Sequence, residues 1–125
     1  MVLVDSSSWV AALRQSGKDE VRQRVLSLLA AGQAAWCDPV RLELWNGARG
    51  DHERRILRLQ DDKLPRLPID EAVWDLSMEL AKRSRDVGLT VPAVDLIIAA
   101  CARRHGVALE HDDRHLTRLM ELQGV

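Results

Sequence analysis

The sequence predicts an α/β sandwich with a mainly parallel sheet. Three observations carry that class. Short apolar runs alternate with segments of helical spacing along the whole chain. One segment, VDLIIAACA, is apolar nearly all round, the pattern of a helix buried on more than one side. Glycines and prolines fall where helices end and begin. The 125 residues suffice for one domain with a modest core, spanning residues 1–125 without repeat or linker.

The elements follow in order. Val2, Leu3 and Val4 form a first buried strand that runs into Asp5. Ser6, Ser7 and Ser8 offer N-caps for a short helix carrying Trp9, Val10 and Leu13. Residues 18–31 place Val21, Val25, Leu28 and Leu29 on one helical stripe, and Gly32 closes it. AAWC, residues 34–37, reads as a second strand. Asp38 and Pro39 open the next helix, which runs to about Gly47; Gly50 separates it from another helix carrying RRILRLQ. Residues 64–69 read as a strand, placed at a sheet edge by Pro65 and Pro68. Asp70 opens a helix with Val73, Leu76 and Leu80 on one face, ended by Gly88. Pro92 begins the apolar helix and Gly106 ends it. VALEH is the next strand, a helix follows at about 114–122, and a weak last strand is expected near Val125.

Composition narrows the function. The chain is 46% hydrophobic and 30% charged, a globular balance, with net charge −1. No global basic field marks a nucleic-acid binder, although a neutral average can hide a basic face beside an acidic pocket. Tyr and Phe are absent, which argues against an RNA-binding sheet that stacks bases on surface aromatics. Cys37 and Cys101 both sit in apolar surroundings and read as reduced, buried thiols. No signal-peptide pattern opens the chain and no apolar run is long enough to span a bilayer, so a cytoplasmic protein is expected.

The acids are the informative residues. In a parallel sheet, sites form outside the C-terminal ends of the strands. Asp5 ends the first strand, and Asp112 and Asp113 follow VALEH. In PVRLELWNGA, Val40, Leu44, Gly47 and Ala48 form an apolar stripe, and the spacing puts Glu43 along it, toward the core. Asp95 falls in the first turn of the apolar helix, among Val94, Leu96, Ile97 and Ile98. Singly, Asp5 and Asp113 read as helix caps, Asp95 as a charge at a helix N-terminus and Glu43 as an arginine partner. Those readings leave the convergence unexplained. Clustered carboxylates repel one another unless a cation lies between them. No His or Cys accompanies them at zinc-like spacing, and all-oxygen sites suit magnesium or manganese. A hard divalent cation points to hydrolysis of a phosphodiester by activated water.

Four blocks then carry a family resemblance: VLVDSSSWV, PVRLELWNG, GLTVPAVDLIIAACARRHG and VALEHDDRHL. The chain resembles PIN-domain ribonucleases, specifically the VapC-type toxins of bacterial type II toxin–antitoxin pairs, over essentially its whole length. The resemblance implies a three-layer α/β/α sandwich with a mainly parallel sheet of four to five strands. It also implies an endoribonuclease dependent on Mg2+ or Mn2+. It assigns the catalytic acids to Asp5, Glu43, Asp95 and Asp113, with Asp5, Asp95 and Asp113 on the metal and Glu43 bound directly or through water. Asp113 holds the first place of the family's D-R-[DH]-[FL] ending; Asp112 ranks behind it. Ser7 matches a hydroxyl often found beside the first acid, and capping the first helix is an equal role for it. Leu116 stands where Phe is commoner in the family.

An RNA substrate needs cations nearby, and Arg14, Arg41 and Arg49 are the candidates, with Arg54, Arg55, Arg58 and the Lys82, Arg83, Arg85 cluster behind them. Most such runs are solvated helix faces. Trp9, Trp45 and Trp74 belong to the core by default, with base stacking or an interface as the other use. The resemblance further implies a cognate VapB-type antitoxin lying in a groove near Leu13, Trp45 and residues 54–59. It also implies a homodimer or toxin–antitoxin hetero-oligomer built through residues 70–87 and 92–105. Two other readings compete. A catalytically silent PIN-fold module that binds protein or RNA would have lost an acid, and all four are present. A phosphoacceptor receiver domain wants paired acids after the first strand and a late lysine, whereas this chain has one acid there and no lysine after Lys82.

Overall fold

The computed structural model describes residues 1–124. Strand β1 (Val2–Val4) leads into α1 (Ser6–Leu13) and α2 (Asp19–Ala30). Strand β2 (Ala34–Ala35) leads into α3 (Asp38–Asn46), α4 (Gly50–Lys63) and α5 (Glu71–Asp86). Helix α6 (Ala93–Arg104), strand β3 (Ala108–Glu110) and α7 (Arg114–Glu121) complete the chain. The result is the expected α/β sandwich. The sheet order is β2-β1-β3 and both pairings are parallel, with Leu3 opposite Ala35 and Leu109, and Val4 opposite Glu110.

The central strand explains the core. With a neighbour on each edge, β1 buries Leu3 and Val4 completely. Helix α6 packs against α3, α5, α7 and β3, which is why Ile98, Ala99, Ala100, Cys101 and Ala102 are all fully buried. Each buried Leu or Ile contributes about 1.5–3 kcal/mol by leaving water. Trp9 and Trp36 meet in the core, ring centroids 5.8 Å apart and tilted by 47°. Trp45 is half-buried and Trp74 is exposed. Both cysteines are free and buried.

Where the sheet was expected to have four or five strands, three form among the described residues. Pro65 and Pro68 have no N–H to donate, so residues 64–69 contribute only a bridge between Trp36 and Arg66. That bridge is held by Trp36 N–H to the Pro65 carbonyl at 3.1 Å and Leu67 N–H to the Trp36 carbonyl at 2.8 Å. The strand expected near Val125 lies outside the described residues.

The turn between α1 and α2 depends on a close approach. A Cβ on Gly17 would collide with the backbone of Ala11. Arg22 stitches the same turn, donating to the Ala11 and Arg14 carbonyls and to Asp19.

Candidate metal centre

Sheet order decides where the acids arrive. Strands β2 and β3 lie on opposite sides of β1, so strand order reverses there, and a crevice opens beyond the strands' C-terminal ends. Asp5 N–H donates to the Glu110 carbonyl at 2.9 Å, the last rung joining β1 to β3. The chain past that rung delivers Asp5 from β1 and Asp113 from β3. Asp95 enters from the first turn of α6, and Glu43 from α3. All four line one hollow of about 280 Å³, together with Ser6, Ser7, Val10, Leu13, Arg14, Leu44, Gly47 and Glu53.

Two of the acids serve the fold and the hollow at once. Asp5 is the N-cap of α1, one of the two cap readings, in place of a serine: its Oδ2 accepts from Ser7 N–H at 3.0 Å and Ser7 Oγ at 2.6 Å. Its Oδ1 is buried with no hydrogen-bond partner. Asp113 caps α7, its Oδ1 accepting from His115 N–H at 2.7 Å and Leu116 N–H at 3.4 Å. Asp95 is 8% exposed, and its Oδ2 is likewise buried without a hydrogen bond. Glu43 departs from expectation. The core-facing residues of α3 are Val40 and Leu44; Glu43 sits one step round the helix from Leu44, exposed at the rim. Ser6 Oγ donates to its Oε1 at 2.9 Å.

Electrostatics register the crowding. Asp95 is pushed up to about 6, first by burial and then by repulsion from Asp113, Asp5 and Glu43, against which His115 pulls down. Glu43 is also raised, chiefly because its carboxylate end is desolvated; the Ser6 hydrogen bond opposes this, and Asp5 and Asp113 add to it. No ion pair among the described residues sets an arginine or lysine on any of the four acids. Buried carboxylate oxygens without hydrogen bonds, on Asp5 and Asp95, in a cluster of acids that no arginine or lysine pairs, fit a hard divalent cation. Asp5, Asp95 and Asp113 are the residues that would hold it, with Glu43 at the rim.

The remaining expected site residues fall in different places. Ser7 bridges the strand ends: besides donating to Asp5, its Oγ accepts from Asp112 N–H at 2.9 Å. The Asp112 side chain is exposed and pairs with Lys18 Nζ at 3.1 Å, outside the hollow. Arg14 lines the hollow, with Nε 3.4 Å from Glu53 and Nη2 donating to the Gly47 carbonyl at 3.0 Å. Arg41 is engaged elsewhere, paired with Asp38 and Asp61 and stacked 5.6 Å over Trp36. Arg49 is exposed; its backbone N–H donates to Glu53 at 2.8 Å. Leu13 lines the acidic hollow, whereas Trp45 lines a second, apolar hollow with Leu42, Ile69, Trp74, Val94 and Ile97.

Three residues were given no place in the site by the sequence. Glu53 is buried among the polar residues of α4 and held below the usual carboxylate range, first by the Arg49 backbone N–H. Its spacing four residues before buried Leu57 was the available signal. Ser6 reads as one of three interchangeable caps. His115 brings Nδ1 within 3.7 Å of Asp95 Oδ2 and 3.6 Å of Asp113 Oδ1. One ligand atom each from Asp95, Asp113 and His115 lies within 4.8 Å of the others.

Comparison with known proteins agrees with this geometry. Residues 2–122 match the PIN domain family, and the chain belongs to it. Within that family its relatives are VapC ribonucleases. It is 35% identical to ribonuclease VapC11 of Mycobacterium tuberculosis, covering 98% of this chain and 96% of that one. Among solved structures it superposes on VapBC-1 from nontypeable Haemophilus influenzae with a TM-score of 0.73 at 18% identity, covering 98% of this chain and 96% of that one. It superposes equally, at 0.73 and 17% identity over 99% and 98% of the two chains, on Mycobacterium tuberculosis VapC20, a Sarcin-Ricin loop cleaving toxin.

Proposed function

We propose that this chain is the toxin of a VapBC-type pair, a single-domain endoribonuclease that uses Mg2+ or Mn2+. The observation that carries the reading is the convergence of four acids from separate segments on one hollow, with Asp5 Oδ1 and Asp95 Oδ2 buried and unpartnered. Membership among the VapC ribonucleases supports the activity.

The chemistry a bound divalent cation supplies is polarisation of the phosphodiester and acidification of a water molecule. The chain's own residues do the rest. Asp5, Asp95 and Asp113 hold the cation. Glu43, held by Ser6 and raised by desolvation, would orient the attacking water at the rim and take its proton as the water oxygen bonds to phosphorus and the leaving oxygen departs, protonated from solvent. Arg14 neutralises phosphate at the mouth of the hollow. Retention of all four acids favours turnover over a silent binding module.

A VapB-type antitoxin is the partner that this reading requires, since an RNA-cutting toxin must be held in check. The solved VapBC-1 structure supports the pairing. The exposed apolar side chains Leu42, Trp74, Met78 and Val94 supply the face for a homodimer or hetero-oligomer. No helix of the described residues is long and apolar enough to cross a membrane.

Purified protein, freed of antitoxin and metal, is expected to cut RNA only when Mg2+ or Mn2+ is restored. Asp5→Asn and Asp95→Asn each lower cutting by at least about a hundredfold while the circular dichroism spectrum is retained. Cutting that continues in chelator, or in both variants, rejects the reading.

A further inference from the structure

His115 lies in the first turn of α7, two residues after the cap Asp113, with a side chain 39% exposed. Its Nδ1 stands 3.7 Å from Asp95 Oδ2 and 3.6 Å from Asp113 Oδ1. Both distances exceed hydrogen-bond length, so the ring nitrogen faces the two carboxylates without being tied to either. The backbone holds it there, because His115 N–H donates to Asp113 Oδ1 at 2.7 Å. Independently, the Asp95 oxygen nearest the ring is buried and has no hydrogen-bond partner, on a residue only 8% exposed. Ligands about 2.1 Å from one octahedral cation stand roughly 3 Å apart when adjacent and roughly 4.2 Å apart when opposite. The separations seen here lie between those values, within reach of small side-chain rotations.

We propose that His115 contributes Nδ1 to the cation that Asp95 and Asp113 hold, and that this nitrogen turns the site toward a first-row transition cation and away from magnesium. The inference rests on the cation site proposed above and adds its selectivity. Magnesium is hard, favours oxygen and keeps its waters; imidazole suits transition cations. The opposite role for the same ring is a counter-charge, an imidazolium that neutralises the acids and competes with any metal.

The two roles predict opposite signs. Metal-free protein is titrated calorimetrically with MnCl2 and, separately, with MgCl2, as wild type, His115→Ala and His115→Asp. The manganese-loaded wild type is also examined by electron spin-echo spectroscopy for modulation from a directly bonded nitrogen. The expected results are a nitrogen signal in the wild type and Mn2+ affinity about tenfold or more above that for Mg2+. His115→Ala loses the signal and weakens Mn2+ by about tenfold, while Mg2+ changes by less than about twofold. His115→Asp, with oxygen for nitrogen, narrows the preference. Absence of the nitrogen signal from loaded wild type, or unchanged or tighter Mn2+ binding by His115→Ala, overturns the inference and leaves the cation site standing. Failure of both ions to bind the wild type, or binding by Asp95→Asn as tight as wild type, overturns the site itself and this inference with it.

Discussion

At the scale of single residues, Asp95 destabilises the protein that it equips. Burial and three neighbouring acids raise it from 3.8 to about 6, so the folded state binds this proton more tightly than the unfolded chain does. The folded-state pKa lies above the unfolded one. The penalty is therefore absent below 3.8, grows as pH rises, and is complete above about 6. Removing the charge should relieve it. Asp95→Asn, without divalent ions at about pH 7, is expected to be more stable than wild type to urea unfolding by up to about 3 kcal/mol. The gain should disappear near pH 4. A less stable variant at neutral pH would mean that the carboxylate has a partner in the fold. Asp5, Asp95 and Asp113 were legible in the sequence because strand ends and an apolar helix are local patterns. Glu43 was legible as one of the converging acids but not as a rim residue, since one step round a helix separates core from mouth. His115 stands in the quoted D-R-[DH]-[FL] ending but was given no role there, because its meaning comes from Asp95, on a different helix.

At the scale of elements, turns into helices place the acids, and each turn has its own determinant. Asp5 caps α1 through Oδ2 and leaves Oδ1 without a hydrogen bond, so its structural role and the proposed functional one fit together on one side chain. The helix order and most helix ends were legible from caps, glycines and periodicity. Strand content was less so. Ala34–Ala35 is only two residues long, and the prolines reduce the fourth edge to a bridge, because ladder hydrogen bonds depend on both partners. The need for glycine at position 17 was not legible at all, since it arises from contact with Ala11 across the turn. Gly17→Ala should force α1 and α2 apart and cost about 1–3 kcal/mol, seen as a lower Tm. An unchanged Tm would show that the turn yields freely. Because α1 carries Ser6, Ser7, Leu13 and the Asp5 cap, the same substitution should loosen the wall of the hollow.

At the scale of the whole molecule, a chain with net charge −1 concentrates negative potential where its strands end. On the proposed function, RNA phosphates would be repelled from such a hollow until a cation offset part of its charge, and binding of substrate and metal would be coupled. The face proposed for partners is apolar: Leu42, Trp74 and Val94 are exposed around the second hollow, which Glu43 also borders. Fold class and acids were readable from the sequence because the parallel sheet obliges strand ends to meet. Which faces remain open to partners was not, because exposure of Trp74 depends on how α3, α5 and α6 pack. The most direct test of the central claim is anomalous diffraction from a crystal of this protein grown with MnCl2. The account predicts a manganese peak bounded by Asp5, Asp95 and Asp113, with Glu43 at its edge. A map with no peak there, and these carboxylates instead drawn onto arginines, would contradict it.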